Sequence, residues 1–312
     1  MYVPYLYGQK FELQALRELV TKLATKRRVN PLIDPVTSKN KDLVRTLSLL
    51  EEQHLRYFLI INPDRGDFED KPEGNDSVKN WFTELHSDIL PHAAQLIPTF
   101  KITAANDPSE LKQFLAIYKE RTVALVHKAE LAKIPKFSGR TIHIFSAEHT
   151  SSPYQDLFVE DRILIRDGFN RQAKNALYPE IEHYDDLNVT YADKKFQGFG
   201  DYTITGDYFS SGGGEAYAVA IHMTRVHPDH GTLQMLHFVS DTITVPPRDN
   251  SMKYGQAVRK LAEYVNKRKS DFKYSSSLQL FVHDAKTLAY HGLGEIKGRS
   301  IRHHIETIEH LY

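Results

Sequence analysis

Six ionisable side chains stand at or just beyond short apolar runs of this 312-residue chain: Lys10, Asp34, Lys101, His127, Asp201 and Asp207. Gathered at one end of a sheet, such a set can hold an anion on its lysines and move protons through the imidazole and the carboxylates. Burial at strand ends would shift their pKa values toward that use, and a phosphorylated or nucleotide-like compound is the substrate class they suit. Tyr7, Asn62, Asp64, Lys128, Glu148, His149, Arg166 and Asp167 fall at similar positions. Any one of these residues could equally be a polar rim group that holds a loop. Asp34-Pro35 and Asn62-Pro63 have such a local account, because a residue before proline is pushed to extended backbone and Asx side chains bond nearby amides.

A lysine at a fourth strand, histidines at a fifth and near a sixth, and an aspartate at an eighth also occur in metal-dependent barrel hydrolases, where a carbamylated lysine bridges the metals. The first strand here ends Leu6-Tyr7-Gly8 without a His-x-His pair, so no metal site is expected. The cofactor, if there is one, is not specified by these residues. The absence of cysteine removes thiolate zinc sites, disulfides and a cysteine nucleophile. No Gly-x-Ser-x-Gly elbow occurs, and Ser211-Gly212-Gly213-Gly214 lacks the Lys-Ser/Thr of a phosphate loop, which leaves flexibility as its reading. His222, His227, His230 and His237 read as residues of a solvated hairpin.

Basic residues collect at Lys26-Arg27-Arg28, at Lys267-Arg268-Lys269, and at Arg299, Arg302 and His303. The first two groups end helices, where cations suit the dipole without any partner. In the third, Ile301, Ile305 and Ile308 make the apolar face. Arg302 and His303 are therefore expected to point toward solvent or a ligand, which marks this group as a candidate nucleic-acid or anion contact.

The elements that must position these groups follow a regular rhythm to about residue 205. Strands are predicted at Tyr2–Leu6, Val29–Ile33, Tyr57–Ile61, Gln95–Ile102, Thr122–Val126, Thr141–Phe145, Arg162–Ile165 and Asp201–Thr205. Amphipathic stretches alternate with them, for example Leu13, Leu16, Leu19, Val20 and Leu23 on one helical face. Asp107-Pro108-Ser109-Glu110 supplies an N-cap, a first-turn proline and a capping-box acid. Eight parallel units with helical crossovers predict a closed (β/α)8, TIM-barrel-like α/β fold; an open doubly wound sheet is the alternative that periodicity leaves standing.

After the eighth strand the rhythm breaks into a hairpin insertion at about residues 206–245, expected over the catalytic face of the barrel. Val258, Leu261, Ala262 and Val265 mark an eighth helix. A strand-like Leu278–Val282 and a final helix make a small appendage, so the expected division is 1–270 for the barrel with its insertion and 271–312 for the appendage. Forty Lys and Arg balance forty Asp and Glu, which argues against a protein that grips nucleic acid over its whole surface. The N-terminus lacks a signal-peptide pattern and no apolar run reaches membrane-spanning length, so a soluble cytoplasmic protein without membrane contact is expected.

The opening MYVPYLYGQKFELQALREL, the strand end GDYTITGD and the closing GRSIRHHIETIEHL resemble the Beta-protein family of bacteria and their phages, and more closely its sister group. The likeness runs over essentially the whole chain. It implies a TIM-barrel-like fold but no established reaction. It also implies membership in a two-gene mobile-element module whose smaller member is a nuclease-like protein of the PD-(D/E)XK type. A partner or sensor of that adjacent-gene nuclease, in phage defence or a toxin-antitoxin-like system, is the function the resemblance suggests, with nucleic acid or a phage component as further partners. The second expectation is a hydrolase or phosphodiesterase-type enzyme working at the barrel mouth.

Overall fold

The computed structural model describes residues 1–312 apart from 70–75, 134, 136, 211–215, 244–248, 269–270 and 273–274, so the Ser211–Gly214 run lies outside the described residues. The chain divides into two compact units, Met1–Asp167 with Thr190–Tyr202, and Gly168–Val189 with Thr203–Tyr312.

The first unit is a closed parallel barrel. Along the chain its strands are β1 (Tyr2–Leu6), β2 (Leu32–Ile33), β3 (Tyr57–Ile60), β4 (Leu96–Ile102), β5 (Val123–His127), β6 (Thr141–Ser146) and β7 (Arg162–Arg166). Next, β8 (Ile181–Asp185) lies in the second unit, and β9 (Gly198–Asp201) returns as the eighth barrel strand, pairing with β7 and β1. Closure settles the choice against an open sheet. Strands such as Tyr57–Ile60 and Val123–His127 are buried at every position, as parallel strands covered on both faces must be. The expected eighth strand at Asp201–Thr205 is corrected to Gly198–Asp201, because the pairing with Met1–Pro4 runs through two glycines that an apolar-run criterion passes over.

Helices α1 (Lys10–Lys26), α2 (Lys41–Glu52), α3 (Asp76–Glu84) and α4 (Pro108–Ile117) supply crossovers, with α5 (Ser152–Gln155) and α6 (Leu187–Thr190) as single turns. Their starts are written locally. Gln9 and Glu12 form a reciprocal capping box at α1, and the Asp107 carboxylate accepts from Ser109 N at 2.7 Å ahead of Pro108 at α4. Among the described residues no helix joins β5 to β6.

In the second unit β10 (Ala220–Val226) and β11 (Leu233–Val239) form the anticipated antiparallel hairpin, and β8 adds a third strand to give the order β10-β11-β8. Helices α7 (Asn250–Lys267), α8 (Ser276–Thr287) and α9 (Leu293–Glu309) complete the unit. Ile221, Met223, Leu236 and Phe238 of the sheet share one core with Val258 and Leu261 of α7, Phe281 of α8 and Ile296 of α9. The hairpin and α7, expected to belong with the barrel up to residue 270, therefore share their core with the C-terminal helices. The strand expected at Leu278–Val282 is helical. Ser275 caps it by accepting from Leu278 N at 3.0 Å, and Leu278, Phe281 and Ala285 recur at helical spacing.

Strand register fixes which side chains enter the barrel. Tyr5 pairs with Leu32, Leu32 with Phe58 and Phe58 with Ile97, while Thr99 pairs with Ala124 and Ala124 with Ile142. Val3 faces Gly200 in the same layer system, and a Cβ at Gly200 would overlap the Val3 carbonyl oxygen and lie 2.9 Å from Ile165 Cγ1. Gly200→Ala should therefore destabilise the protein by about 1–3 kcal/mol, the usual cost of overpacking. Gly255→Ala, in mid-α7 where an added Cβ meets nothing closer than Arg259 Nη2 at 3.7 Å, should raise stability by about 0.5–1 kcal/mol. Urea denaturation of both variants checks the pair, and equal midpoints would contradict the close approach.

Candidate functional site

The barrel mouth is built where the inward rows of β1, β2 and β4 end. Lys101 is 1% exposed, Asp34 is fully buried, and Lys101 Nζ lies 2.6 Å from Asp34 Oδ2. The same ammonium is 2.6 Å from Asp64 Oδ1 in the loop after β3, and Tyr5 OH donates to Asp34 Oδ2 at 2.6 Å. Burial first, then the neighbouring Asp34 charge, pushes the Tyr5 phenol well above its usual range, so it remains a proton donor. Asn62 holds the end of β3 to β4 by accepting from Lys101 N at 2.8 Å and donating to Lys101 O at 2.9 Å. That is structural use of the Asn-Pro pair.

Aromatic rings line the cluster. Tyr202 lies 4.8 Å from Tyr5 between ring centroids, Tyr7 lies 5.4 Å from Tyr5, and the Lys128 ammonium sits 4.9 Å from the centroids of both Tyr5 and Tyr202. Arg65 donates to Tyr7 OH at 3.1 Å. Asp34 Oδ1 is buried and has no hydrogen-bond partner among the described residues. An acceptor withdrawn from water in this way costs about 1–3 kcal/mol until a donor meets it.

Of the six nominated groups, Asp34 and Lys101 converge, whereas Lys10, His127 and Asp201 of the same unit do not join them. His127 pairs across the sheet with Ile102 and Phe145, one position out of step with Lys101, so it points away from the lumen. There His127 Nδ1 meets Tyr154 OH at 2.9 Å and His127 Nε2 meets His143 Nδ1 at 3.0 Å, against the Phe145 and Phe158 rings. Burial, reinforced by His143, holds the His127 imidazole well below its ordinary pKa, which makes it a neutral core residue. Asp201 pairs with Pro4 on the outward face and accepts from Tyr2 OH at 2.8 Å. Its neighbour Tyr202 enters the mouth instead. Lys10 is exposed at the start of α1 with its ammonium 5.4 Å from the Phe11 ring, and it lines a small cavity of about 180 Å³ with Gly8, Pro35 and Thr37. Asp207 belongs to the other unit.

Sequence reasoning passed over Tyr5 and Tyr202, although their two-residue spacing from neighbouring inward positions would have marked them. A serine, a histidine and a glutamate also meet at the end of β6. Ser146 Oγ lies 2.8 Å from His149 Nδ1 and 3.0 Å from Glu148 Oε2. This is not a catalytic triad, because the carboxylate bonds the serine rather than the far nitrogen of the imidazole. Among the described residues no group of three or more His, Asp or Glu could hold a metal ion.

Arg299, Arg302 and His303 are the second correction. They lie on α9, which is buried at nearly every position from Ile296 to Glu309, and they are 5%, 6% and 0% exposed. Arg299 pairs with Asp284 at 2.6 Å and with Glu295 at 3.0 Å, and Arg302 reaches Glu295 at 3.2 Å. His303 Nε2 donates to Thr224 O at 2.8 Å while Ser275 Oγ meets its Nδ1 at 2.7 Å. The polar face is covered as fully as the isoleucine face, so these residues bind the fold together and do not face solvent.

A scan against protein-family models gives no match, and a search of curated proteins gives none either. No helix among the described residues is long and apolar enough to cross a membrane.

Lys101→Met strands the Asp34 charge and should cost about 3–5 kcal/mol, whereas Lys101→Met with Asp34→Leu should recover most of that loss. Urea midpoints of the single and double variants decide it, and a single variant as stable as the parent would refute the pairing. His303 has its pKa lowered to about 4 by burial, so the folded state refuses a proton that the unfolded chain accepts. Its contribution is intact above the unfolded pKa of about 6.5 and is lost as pH falls toward about 4, amounting to roughly 3 kcal/mol. Stability measured across that window should fall less steeply for His303→Gln than for the parent.

Proposed function

We propose that the chain is a binding or sensing protein, the larger member of a two-gene module in which it regulates or assists a small adjacent nuclease in phage defence or a toxin-antitoxin-like system. The observation that carries the binding half of this reading is the mutual neutralisation of the mouth groups. Lys101 is held between two carboxylates at 2.6 Å each, and the Tyr5 proton is committed to Asp34. An ammonium so placed is no nucleophile, and a phenol whose pKa is raised is no base at neutral pH. The choice of nuclease partner rests on the resemblance of the three sequence motifs and is a proposal on that ground.

One observation favours a second reading, an enzyme for a phosphorylated or nucleotide-like substrate. Asp34 Oδ1 is a buried acceptor beside a lysine, and a substrate hydroxyl or amine could complete its bonding. In that case Asp34 would orient or deprotonate the donor while Lys101 and Lys128 balance anionic charge.

Co-expression with the adjacent small gene product and gel filtration test the first reading. A complex that persists at micromolar concentration is the expected result, and elution of the chain alone, with and without DNA, would overturn it. Asp34→Asn keeps the shape and changes the charge at the mouth. A phosphodiesterase activity of the parent towards bis(p-nitrophenyl) phosphate that this variant lacks would move the conclusion to the enzyme.

A further inference from the structure

One face of the three-stranded sheet in the second unit carries two histidines and a glutamate side by side. His222 of β10 stands directly opposite His237 of β11, and Glu182 of β8 reaches His237 from the next strand. Ile221, Met223, Leu236 and Phe238 alternate with them and point to the core on the other face. The sequence reads these histidines as part of a solvated hairpin, yet His237 is 4% exposed and His222 is half-buried. Tyr178 packs on both, stacked on the His237 ring at 4.6 Å and 17° and edge-on to His222 at 4.7 Å, and Phe169 meets the His222 ring at 5.1 Å.

The hydrogen bonds fix where the protons are. His222 Nδ1 lies 2.7 Å from His237 Nδ1, so one proton is shared between the two rings, and His237 Nε2 lies 3.0 Å from Glu182 Oε1. A carboxylate only accepts, so His237 donates through Nε2 and keeps a lone pair on Nδ1, which takes the proton of His222 Nδ1. Asn170 Nδ2 donates to the second Glu182 oxygen at 3.1 Å and holds the carboxylate in place. Burial first, then His237 and Lys297, holds the His222 imidazole well below its ordinary pKa, and burial lowers His237 as well, against the pull of Glu182. Both rings are neutral near neutral pH. His222 Nε2 is left as an unprotonated nitrogen that makes no hydrogen bond among the described residues.

A neutral imidazole whose Nδ1 proton is relayed to a carboxylate presents its Nε2 lone pair as a base or as a nucleophile. A base needs a second group to activate, and no serine, threonine or lysine among the described residues is hydrogen-bonded to either ring. Attack by Nε2 itself is the chemistry this arrangement supports. Positive charge develops on the ring as the new bond forms, and Glu182 offsets it through His237. Lys297 of α9 acts on His222 with its own positive charge, which suits an anionic electrophile over a neutral one.

We propose that His222 is a phosphoryl-accepting nucleophile, with His237 and Glu182 as its positioning residues and an acyl phosphate as the donor class. Its Nε2 lone pair attacks phosphorus, the N–P bond forms as the P–O bond to the acyl group breaks, and the carboxylate leaves with that electron pair. The Nδ1 proton stays on His222 in its bond to His237, so the product is an Nε2-phosphohistidine. The site is independent of the barrel mouth and of the nuclease partner.

Incubation of the full chain with acetyl phosphate, followed by digestion at neutral pH and mass spectrometry, maps which histidines carry the label and how fast. His222 should be labelled at least about tenfold faster than His183, His230 and His291, which are exposed and lack such a relay. His222→Gln should lose the fast label and keep only the slow background. Glu182→Gln still accepts from His237 but carries no charge, so it should slow the labelling of His222 about tenfold while the melting temperature stays near that of the parent. The map of the parent needs no variant to fold. Label spread evenly over the exposed histidines, no label on His222, or labelling of His222 in Glu182→Gln at the parent rate would each overturn the proposal.

Discussion

A lysine ammonium buried to 1% inside a parallel barrel constrains everything placed around it. Removing such a charge from water costs several kcal/mol even after relaxation, and only close counter-charges with good geometry offset it. Asp34 at the end of β2 and Asp64 beyond β3 supply them, Tyr5 donates to the same Asp34 oxygen, and Asn62 fixes the Lys101 backbone from which the side chain starts. The partners come from β1 and from the ends of β2 and β3, so the pairing exists only when these strands stand beside β4 in the observed register. A slip of one residue on β4 would exchange Lys101 for Phe100 or Ile102 in the lumen and leave Asp34 without its cation. The charge pair thus reports on register as well as on the site.

The same alternation explains which parts of the site were legible in the sequence. The period of strands and helices is enough for the barrel, and Asp34 and Lys101 are nominated by their places at strand ends, which in the structure also have inward parity. His127 and Asp201 fall at strand ends too, but with outward parity, and parity depends on the pairing of a strand with its neighbours rather than on its own residues. Tyr5 and Tyr202 were overlooked for the converse reason. They read as core aromatics, and their place beside a buried carboxylate appears only once β1, β2 and β9 are side by side.

The second unit shows a different limit. A helix with one isoleucine stripe reads as half solvated, yet α9 is buried almost all round, with its arginines and histidines bonded to Asp284, Glu295, Ser275 and Thr224. Those partners lie on β10, on the cap of α8, within α8 and on α9 itself, separated by up to 80 residues from the groups they satisfy. Periodicity detects apolar faces. It has no means of detecting a polar face whose hydrogen bonds are all made internally. The helical Leu278–Val282 segment was hidden similarly, because five apolar and polar residues fit either period until the Ser275 cap is considered.

Neutral overall charge takes on a more specific meaning through these arrangements. Opposite charges are matched in the interior of each unit, Lys101 with Asp34 in the barrel and Arg299 with Asp284 beside α9. Matched buried pairs contribute rigidity of arrangement more than net stability, and they leave little field at a distance. Recognition of a charged ligand must then come from groups that are positioned but incompletely bonded. In the barrel the Asp34 Oδ1 acceptor is such a group, and it asks for a donor, the hydroxyl or amine of a molecule or of a partner chain.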